Sequence, residues 1–141
     1  MFYGEYSHTI DIKGRLTIPT KFRYLLGDDF YITRELDGGL TIYDKSKWAE
    51  LENKLNNLPL TDTKARDLRR FYLGSSCPCE VDKQGRVLIP LALRTHANLK
   101  QEVVIVGVGD HIELWDKKLW DDKYQFDDYD KLAKDMEGLG I

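Results

Sequence analysis

The sequence contains no apolar run of about 18 residues, so a membrane-spanning helix is not expected. Its first residues, MFYGEYSH, also lack the charged and apolar stretches of a secretory signal peptide. The 141 residues suit one or two small domains, and 42% of them are apolar and 32% charged, as in ordinary globular proteins. These features predict a cytoplasmic globular protein with no membrane partner.

Cysteine is scarce: the only two, Cys77 and Cys79, lie in the segment CPC. A zinc site needs about four ligands at suitable spacing, and no second CxC or CxxC pair exists. The two thiols are also poorly placed for a mutual disulfide, because alternate residues of a strand point the same way and Pro78 stiffens the path. We expect two small apolar residues at the start of a strand, with a thiol or metal role as the less favoured alternative.

The fingerprints of the common enzyme classes are missing. The sequence has no HExxH, GxSxG, P-loop or dinucleotide motif. Its three histidines, His8, His96 and His111, stand alone on strand-like segments, where packed or exposed histidines are commoner than catalytic ones. We therefore predict no catalytic residues, no metal site, no cofactor and no small-molecule substrate.

The net charge of −3 argues at first against a nucleic-acid partner, but the charges are unevenly distributed. Residues 1–26 carry four basic and two acidic groups, and residues 61–100 carry eight and four. Residues 110–141 carry five basic and ten acidic groups. Local potential steers a polyanion more than net charge does, so the two basic stretches leave nucleic-acid binding open.

The same phrase occurs twice in the chain, as DIKGRLTIPTKFR at 11–23 and DKQGRVLIPLALR at 82–94. After a one-residue shift, LTIYDKSKW at 40–48 matches IELWDKKLW at 112–120. This ordered agreement indicates a tandem duplication. We predict a first repeat with its C-terminal helix at 1–58, a connecting helix within 59–74, and a second repeat with C-terminal helices at 75–141.

Each repeat is predicted to hold four short strands followed by a helix. The runs DFYITRE and EVVIVGV are typical of strands, and apolar residues recur at helical spacing after Asp44. The connecting helix is expected to begin at Thr61 or Asp62 and to stop at Gly74. The acidic tail beyond Asp116 favours one or two further helices.

The repeated phrase also predicts a β-hairpin. A three-residue loop, 12–14, places Ile10 opposite Leu16 and Asp11 opposite Arg15, so that one face is apolar and the other carries an ion pair. The last position of such a loop is left-handed, and Gly14 adopts that conformation without a steric penalty.

The second copy gives the same register. Val81 lies opposite Val87, Asp82 lies opposite Arg86, and Gly85 closes the loop. The apolar faces of the two copies are expected to pack against each other across the duplication. In a purely structural interpretation, each ion pair contributes only about 0.2–1 kcal/mol to strand pairing.

A functional interpretation adds the loop tips. Lys13 and Arg15 in the first copy, and Lys83 and Arg86 in the second, are expected to project from tight turns beside little apolar surface. Such tips present cations and backbone N–H groups at fixed spacing, as phosphates and guanine edges require. Three further cations follow the prolines that end the strands and extend this patch: Lys21, Arg23 and Arg94.

These residues also carry a family resemblance. GRLTIP followed by FR, and GRVLIP followed by LR, resemble the signature of AbrB-like swapped-hairpin DNA-binding domains. The tandem arrangement, the opening MFYGEYSHTIDIKGRLTIPTKFR and the later IELWDKKLW together resemble the MraZ family over essentially the whole chain. The resemblance implies a mixed α+β fold, with two pseudo-symmetric hairpin repeats intertwined in a barrel-like core and helices at the periphery.

The resemblance further implies a bacterial transcriptional regulator of the division and cell-wall gene cluster, including its own promoter. Its subunits would form a ring on double-stranded DNA with repeated sites, in the nucleoid. The DNA contacts carried over from the D-x-x-x-R turns are Lys13, Gly14, Arg15, Lys83, Gln84, Gly85 and Arg86. Asp11 and Asp82 cannot bind phosphate favourably as anions, so they are expected to hold the arginines.

The two turns are not identical, since Ile12 stands against Lys83 and Lys13 against Gln84, so unequal contributions are expected. The alternative function is a ring-forming scaffold that binds partner proteins without DNA. The helix after Asp44 offers Trp48 and Leu51 for such contacts, although core packing is the favoured use of these side chains.

Overall fold

The computed structural model describes all residues, 1–141, and shows a mixed α+β chain of eight strands and six helices. None of the helices has the length and apolar content needed to cross a bilayer. In chain order the elements are β1 (Phe2–Thr9), β2 (Arg15–Thr17), α1 (Thr20–Leu26), β3 (Phe30–Arg34), β4 (Leu40–Asp44), α2 (Lys45–Asn56), α3 (Thr63–Tyr72), β5 (Cys77–Cys79), β6 (Arg86–Leu88), α4 (Leu91–His96), β7 (Glu102–Gly109), β8 (Ile112–Asp116), α5 (Lys117–Lys123) and α6 (Tyr129–Leu139).

Helices α2 and α3 begin where the sequence predicts. The Asp44 side chain accepts a hydrogen bond from the N–H of Lys47 at 2.8 Å, and the Asp62 side chain accepts one from Lys64 at 2.8 Å. Both are N-caps, which satisfy N–H groups that have no partner within the helix. The acidic tail forms α5 and α6, as expected.

Two short helices, α1 and α4, were not predicted. Each begins directly after a proline of the repeated phrase, Pro19 or Pro90, with φ of −51° and −56°. Each proline is the N-cap of its helix, with an extended ψ of 137° or 146°, so it ends the strand and stands directly before the first helical residue. The proline before each helix is therefore the sequence signal that marks its start.

All strand pairs are antiparallel, and the two halves of the chain exchange strands. The six-stranded sheet has the order β1-β7-β8-β4-β3-β5, and a separate two-stranded sheet pairs β2 with β6. The first strand of each half therefore pairs with the third strand of the other half: β1 with β7, and β5 with β3. Neither half holds a complete sheet alone, and the division at 58 and 74 stays a prediction from the repeat.

The predicted hairpin is correct at its turn and wrong in its strand pairing. The N–H of Asp11 donates to the Arg15 carbonyl at 3.0 Å, as expected for facing residues. Leu16, however, lies opposite Val87 of the other half, and the N–H of Ile10 donates to the Gln101 carbonyl at 2.7 Å. The apolar alternation is satisfied equally well by a partner from the other repeat.

The strands do not close into a barrel. β1 and β5 are the two edges of the six-stranded sheet, and β2 with β6 remains a separate pair, so the predicted barrel-like closure is not found. The apolar faces of the repeated phrases do pack together across the duplication, as expected. Leu16, Ile18, Val87 and Ile89 are at most 1% exposed and belong to one core of 19 residues.

The two cysteines lie on the edge strand β5 and pack partly buried against this core. Both are free thiols. Burial raises the pKa of the Cys79 thiol to about 12, which disfavours the reactive thiolate. The predicted placement of two small apolar residues in a short strand is confirmed.

Candidate nucleic-acid interface

Each D-x-x-x-R turn is organised by its aspartate. In the first turn, Asp11 Oδ1 accepts hydrogen bonds from the backbone N–H groups of Lys13 and Arg15, both at 2.9 Å. Asp11 Oδ2 accepts a third bond from Arg15 Nε at 2.7 Å. The backbone N–H of Arg15 is the main cause that lowers the pKa of Asp11, so the carboxylate is ionised at neutral pH.

The second turn repeats this geometry. Asp82 Oδ1 accepts from the N–H groups of Gln84 at 2.9 Å and Arg86 at 3.0 Å, and Asp82 Oδ2 accepts from Arg86 Nε at 2.9 Å. The backbone N–H of Arg86 is again the main cause that lowers the pKa of Asp82. In both turns the arginine engages the aspartate through Nε, which leaves its terminal Nη groups free to donate elsewhere.

The two turns are the ends of one short β-ribbon. Arg15 lies opposite Leu88, and Thr17 lies opposite Arg86. The ribbon is extended at both ends, because the N–H of Ile89 donates to the Gly14 carbonyl at 2.8 Å and that of Ile18 to the Gly85 carbonyl at 3.0 Å. Five residue pairs thus separate the turns by about 14 Å, at about 3.4 Å per residue.

The outer face of this ribbon is charged. Side chains alternate across a strand, so the buried Leu16 and Val87 leave Arg15, Thr17, Arg86 and Leu88 on the opposite face. Arg86 Nη1 lies 4.0 Å from Asp11 Oδ2, which joins the two ion pairs into one row. The row borders a depression of about 260 Å³ lined by Arg15, Glu80, Val81, Asp82, Arg86 and Leu88.

The comparisons with known proteins match this repeated architecture. The family model described as "MraZ protein, putative antitoxin-like" matches residues 1–71 and 73–137. A "Transcriptional regulator MraZ" of Alkaliphilus oremlandii is 48% identical over 144 residues, covering 100% of both chains. Proteins of the same name from Caldicellulosiruptor saccharolyticus and Thermoanaerobacter pseudethanolicus are 48% and 43% identical over 143 residues, again covering 100% of both.

The chain belongs to the MraZ family. In this MraZ-family chain, the structure places the predicted tip residues Lys13, Lys83 and Gln84 on the surface, at opposite ends of the ribbon. The arginines Arg15 and Arg86, whose side chains are 33% and 26% exposed, lie between the tips. The predicted turn residues are therefore brought onto one ribbon rather than onto two separate hairpins.

Two of the predicted supporting cations lie directly beside the turns. Arg23 and Arg94, which we expect to extend the basic patch, each pack against the glycine of the opposite turn, Gly85 and Gly14 respectively. Arg94 Nε donates to the Ile89 carbonyl at 2.9 Å, and Arg23 Nη2 donates to the Thr20 hydroxyl at 2.7 Å. Lys21 is exposed on α1.

The expectation of little apolar surface beside the tips is wrong. Ile12, at the tip of the first turn, is 98% exposed, and Leu88, on the outer face of the ribbon, is 57% exposed. Leu88 lies in the apolar run that ends at Pro90, a pattern that favours a role in the core. Its position two residues beyond Arg86, on the same face of a strand, is the sequence signal that places Leu88 on the outer face of the ribbon.

The glycine that closes each turn has a positive φ and leaves no room for a Cβ. A pair of substitutions can separate the cost of the backbone conformation from the cost of the steric collision. Gly85 has φ of +78°, and a Cβ there would collide with the Arg23 guanidinium; Gly27 has φ of +75° with nothing within 4 Å of a Cβ. Because Gly27 also has ψ of −163°, a backbone region that only glycine enters readily, Gly27→Ala should lower the free energy of unfolding by about 1–3 kcal/mol without any steric collision. Gly85→Ala should cost more, as measured by urea unfolding. Equal losses would show that Arg23 does not confine the turn.

Proposed function

We propose that this chain is a sequence-specific DNA-binding transcriptional regulator whose β-ribbon reads the major groove. The observation that carries the proposal is the double-ended ribbon, in which Asp11 and Asp82 hold the guanidinium groups of Arg15 and Arg86 on one outer face. The regulators named above, which the chain matches over their full length, support the same conclusion.

The ribbon suits the major groove in size and chemistry. That groove is about 12 Å wide and admits a two-stranded β-ribbon. A guanidinium whose Nη groups are free donates two parallel hydrogen bonds to the O6 and N7 of guanine. The exposed tip residues Lys13, Lys83 and Gln84 are then positioned for phosphates on either side, which fix the orientation of the ribbon.

The net charge of −3 is compatible with this function if several subunits bind together. One ribbon offers few cations and binds weakly. In a ring, several ribbons bind repeated sites on the same duplex, and the overall affinity rises because each later binding event is intramolecular. We propose a homo-oligomeric ring, an AbrB-like swapped-hairpin core and a nucleoid location. The proposed targets are the division and cell-wall gene cluster and the protein's own promoter.

The proposal is tested by comparing two duplexes in fluorescence anisotropy: one with the protein's own promoter region and one of random sequence. We expect tighter binding to the promoter duplex, together with a steep loss of affinity between about 50 and 200 mM salt, because neutralised phosphates release counterions. Equal affinity for both duplexes would contradict sequence-specific regulation. Self-assembly without binding to either duplex would favour the scaffold alternative.

A further inference from the structure

An apolar side chain lies among the charges of the proposed DNA-reading face. Leu88 is 57% exposed and is the cross-strand partner of Arg15, so both side chains stand on the outer face of the ribbon. The same depression of about 260 Å³ is lined by Arg15, Arg86 and Leu88. The proposed DNA-reading face therefore presents one large apolar side chain directly beside Arg15.

The two halves of the ribbon differ at this position. The repeat places Thr17 of the first copy where the second copy has Leu88, and Thr17 is the cross-strand partner of Arg86. Thr17 is half-buried and carries a hydroxyl, so it offers less apolar surface beside its arginine than Leu88 does. The two ends of the ribbon therefore differ in the side chain beside the arginine, although the two Asp–Arg turns are nearly identical.

DNA presents one apolar group in the major groove, the C5 methyl of thymine. Facing residues of an antiparallel pair have Cβ atoms about 5 Å apart. Successive bases of one strand are spaced about 3.4 Å along the helix axis. A leucine opposite an arginine that reads guanine consequently falls on a neighbouring base step, within reach of a thymine methyl.

We propose that Leu88 contacts the C5 methyl of a thymine next to the guanine read by Arg15, an inference that rests on the proposed function. Because Thr17 replaces this leucine beside Arg86, the ribbon reads its site in one direction. Leu88 is thereby a specificity residue, and the site it prefers is asymmetric, with a guanine–thymine step at the Arg15 end.

The test starts from a duplex that the wild-type protein selects from a random-sequence pool. Each thymine of that duplex is replaced in turn by deoxyuridine, which lacks only the C5 methyl group. At one position we expect the wild-type affinity to fall about fourfold, the equivalent of about 0.8 kcal/mol for one buried methyl-sized group. The Leu88→Ala protein should bind the thymine and deoxyuridine duplexes equally.

The control variant is Leu91→Ala, which removes a leucine of similar exposure, 66%, at the start of α4 outside the ribbon. It should keep the fourfold response to deoxyuridine. Since Leu88 is exposed, Leu88→Ala should also keep the wild-type unfolding midpoint, so a change in its response reports on DNA contact.

The outcomes separate the two proposals. If no thymine position responds, or if Leu88→Ala keeps the wild-type response, the Leu88 assignment fails while the proposed function stands. If the Arg15→Ala, Arg86→Ala double variant binds the selected duplex as tightly as wild type, the proposed ribbon interface is wrong, independently of the result with the deoxyuridine duplexes. Selection of no duplex at all overturns both.

Discussion

Replacement of both Arg15 and Arg86 by alanine is expected to lower affinity for the promoter duplex by roughly a thousandfold. Each bidentate arginine–guanine contact contributes about 1–3 kcal/mol, and 1.4 kcal/mol corresponds to a factor of ten in affinity. Both side chains are part-exposed and lie outside the core, so the fold should persist. The measurement is a fluorescence anisotropy titration, with circular dichroism to verify folding.

A charge-matched control separates specific contacts from net charge. Lys54→Ala combined with Lys64→Ala removes the same two positive charges from exposed positions on α2 and α3, away from the ribbon. This variant should lose only a few-fold in affinity, and it should do so equally on promoter and random duplexes. A loss as large as that of the arginine variant would mean that general charge, rather than the ribbon, controls binding.

Replacement of both Asp11 and Asp82 by alanine is expected to weaken DNA binding by about tenfold, equal to about 1.4 kcal/mol. Removal of two negative charges should, by long-range electrostatics alone, strengthen binding to a polyanion. The opposite sign is expected because each aspartate accepts two backbone hydrogen bonds of its turn and fixes the arginine at Nε. The same anisotropy titration measures this loss.

The control for this prediction removes two acidic partners elsewhere. Asp67→Ala with Asp135→Ala disrupts the exposed ion pairs with Arg70 and Lys131 on α3 and α6. This protein should bind the promoter duplex as well as wild type or slightly more tightly. If the Asp11, Asp82 variant behaves like this control, the aspartates do not position the arginines.

Local features of this fold were predictable from sequence. The turn needs only an acceptor at Asp11, two N–H groups within four residues and a left-handed glycine at Gly14, all of which are close along the chain. The N-caps at Asp44 and Asp62 are local in the same way. Such local interactions can be recognised from the spacing of the residues in the sequence.

Strand partners were not predictable from the same information. The apolar face of β2 is buried by pairing within its repeat or with the other repeat, and the sequence pattern is identical for both choices. The structure selects Val87 as the partner of Leu16 and thereby places the two turns on one ribbon. The roles of Arg23 and Arg94 depend on that choice, because each contacts a glycine of the opposite repeat only when the strands are exchanged.

The proposed arginine–guanine contacts are tested most directly with 7-deazaguanine, which replaces guanine N7 with a carbon and so removes one of the two acceptors of a bidentate arginine contact. Each guanine of the selected duplex is replaced in turn, and affinity is measured for wild type, Arg15→Ala and Arg86→Ala. At two positions the replacement should weaken binding by the wild-type protein. At one of them it should leave the affinity of Arg15→Ala unchanged, and at the other it should leave the affinity of Arg86→Ala unchanged. Sensitivity that is the same in all three proteins would contradict a ribbon that reads guanines through these arginines.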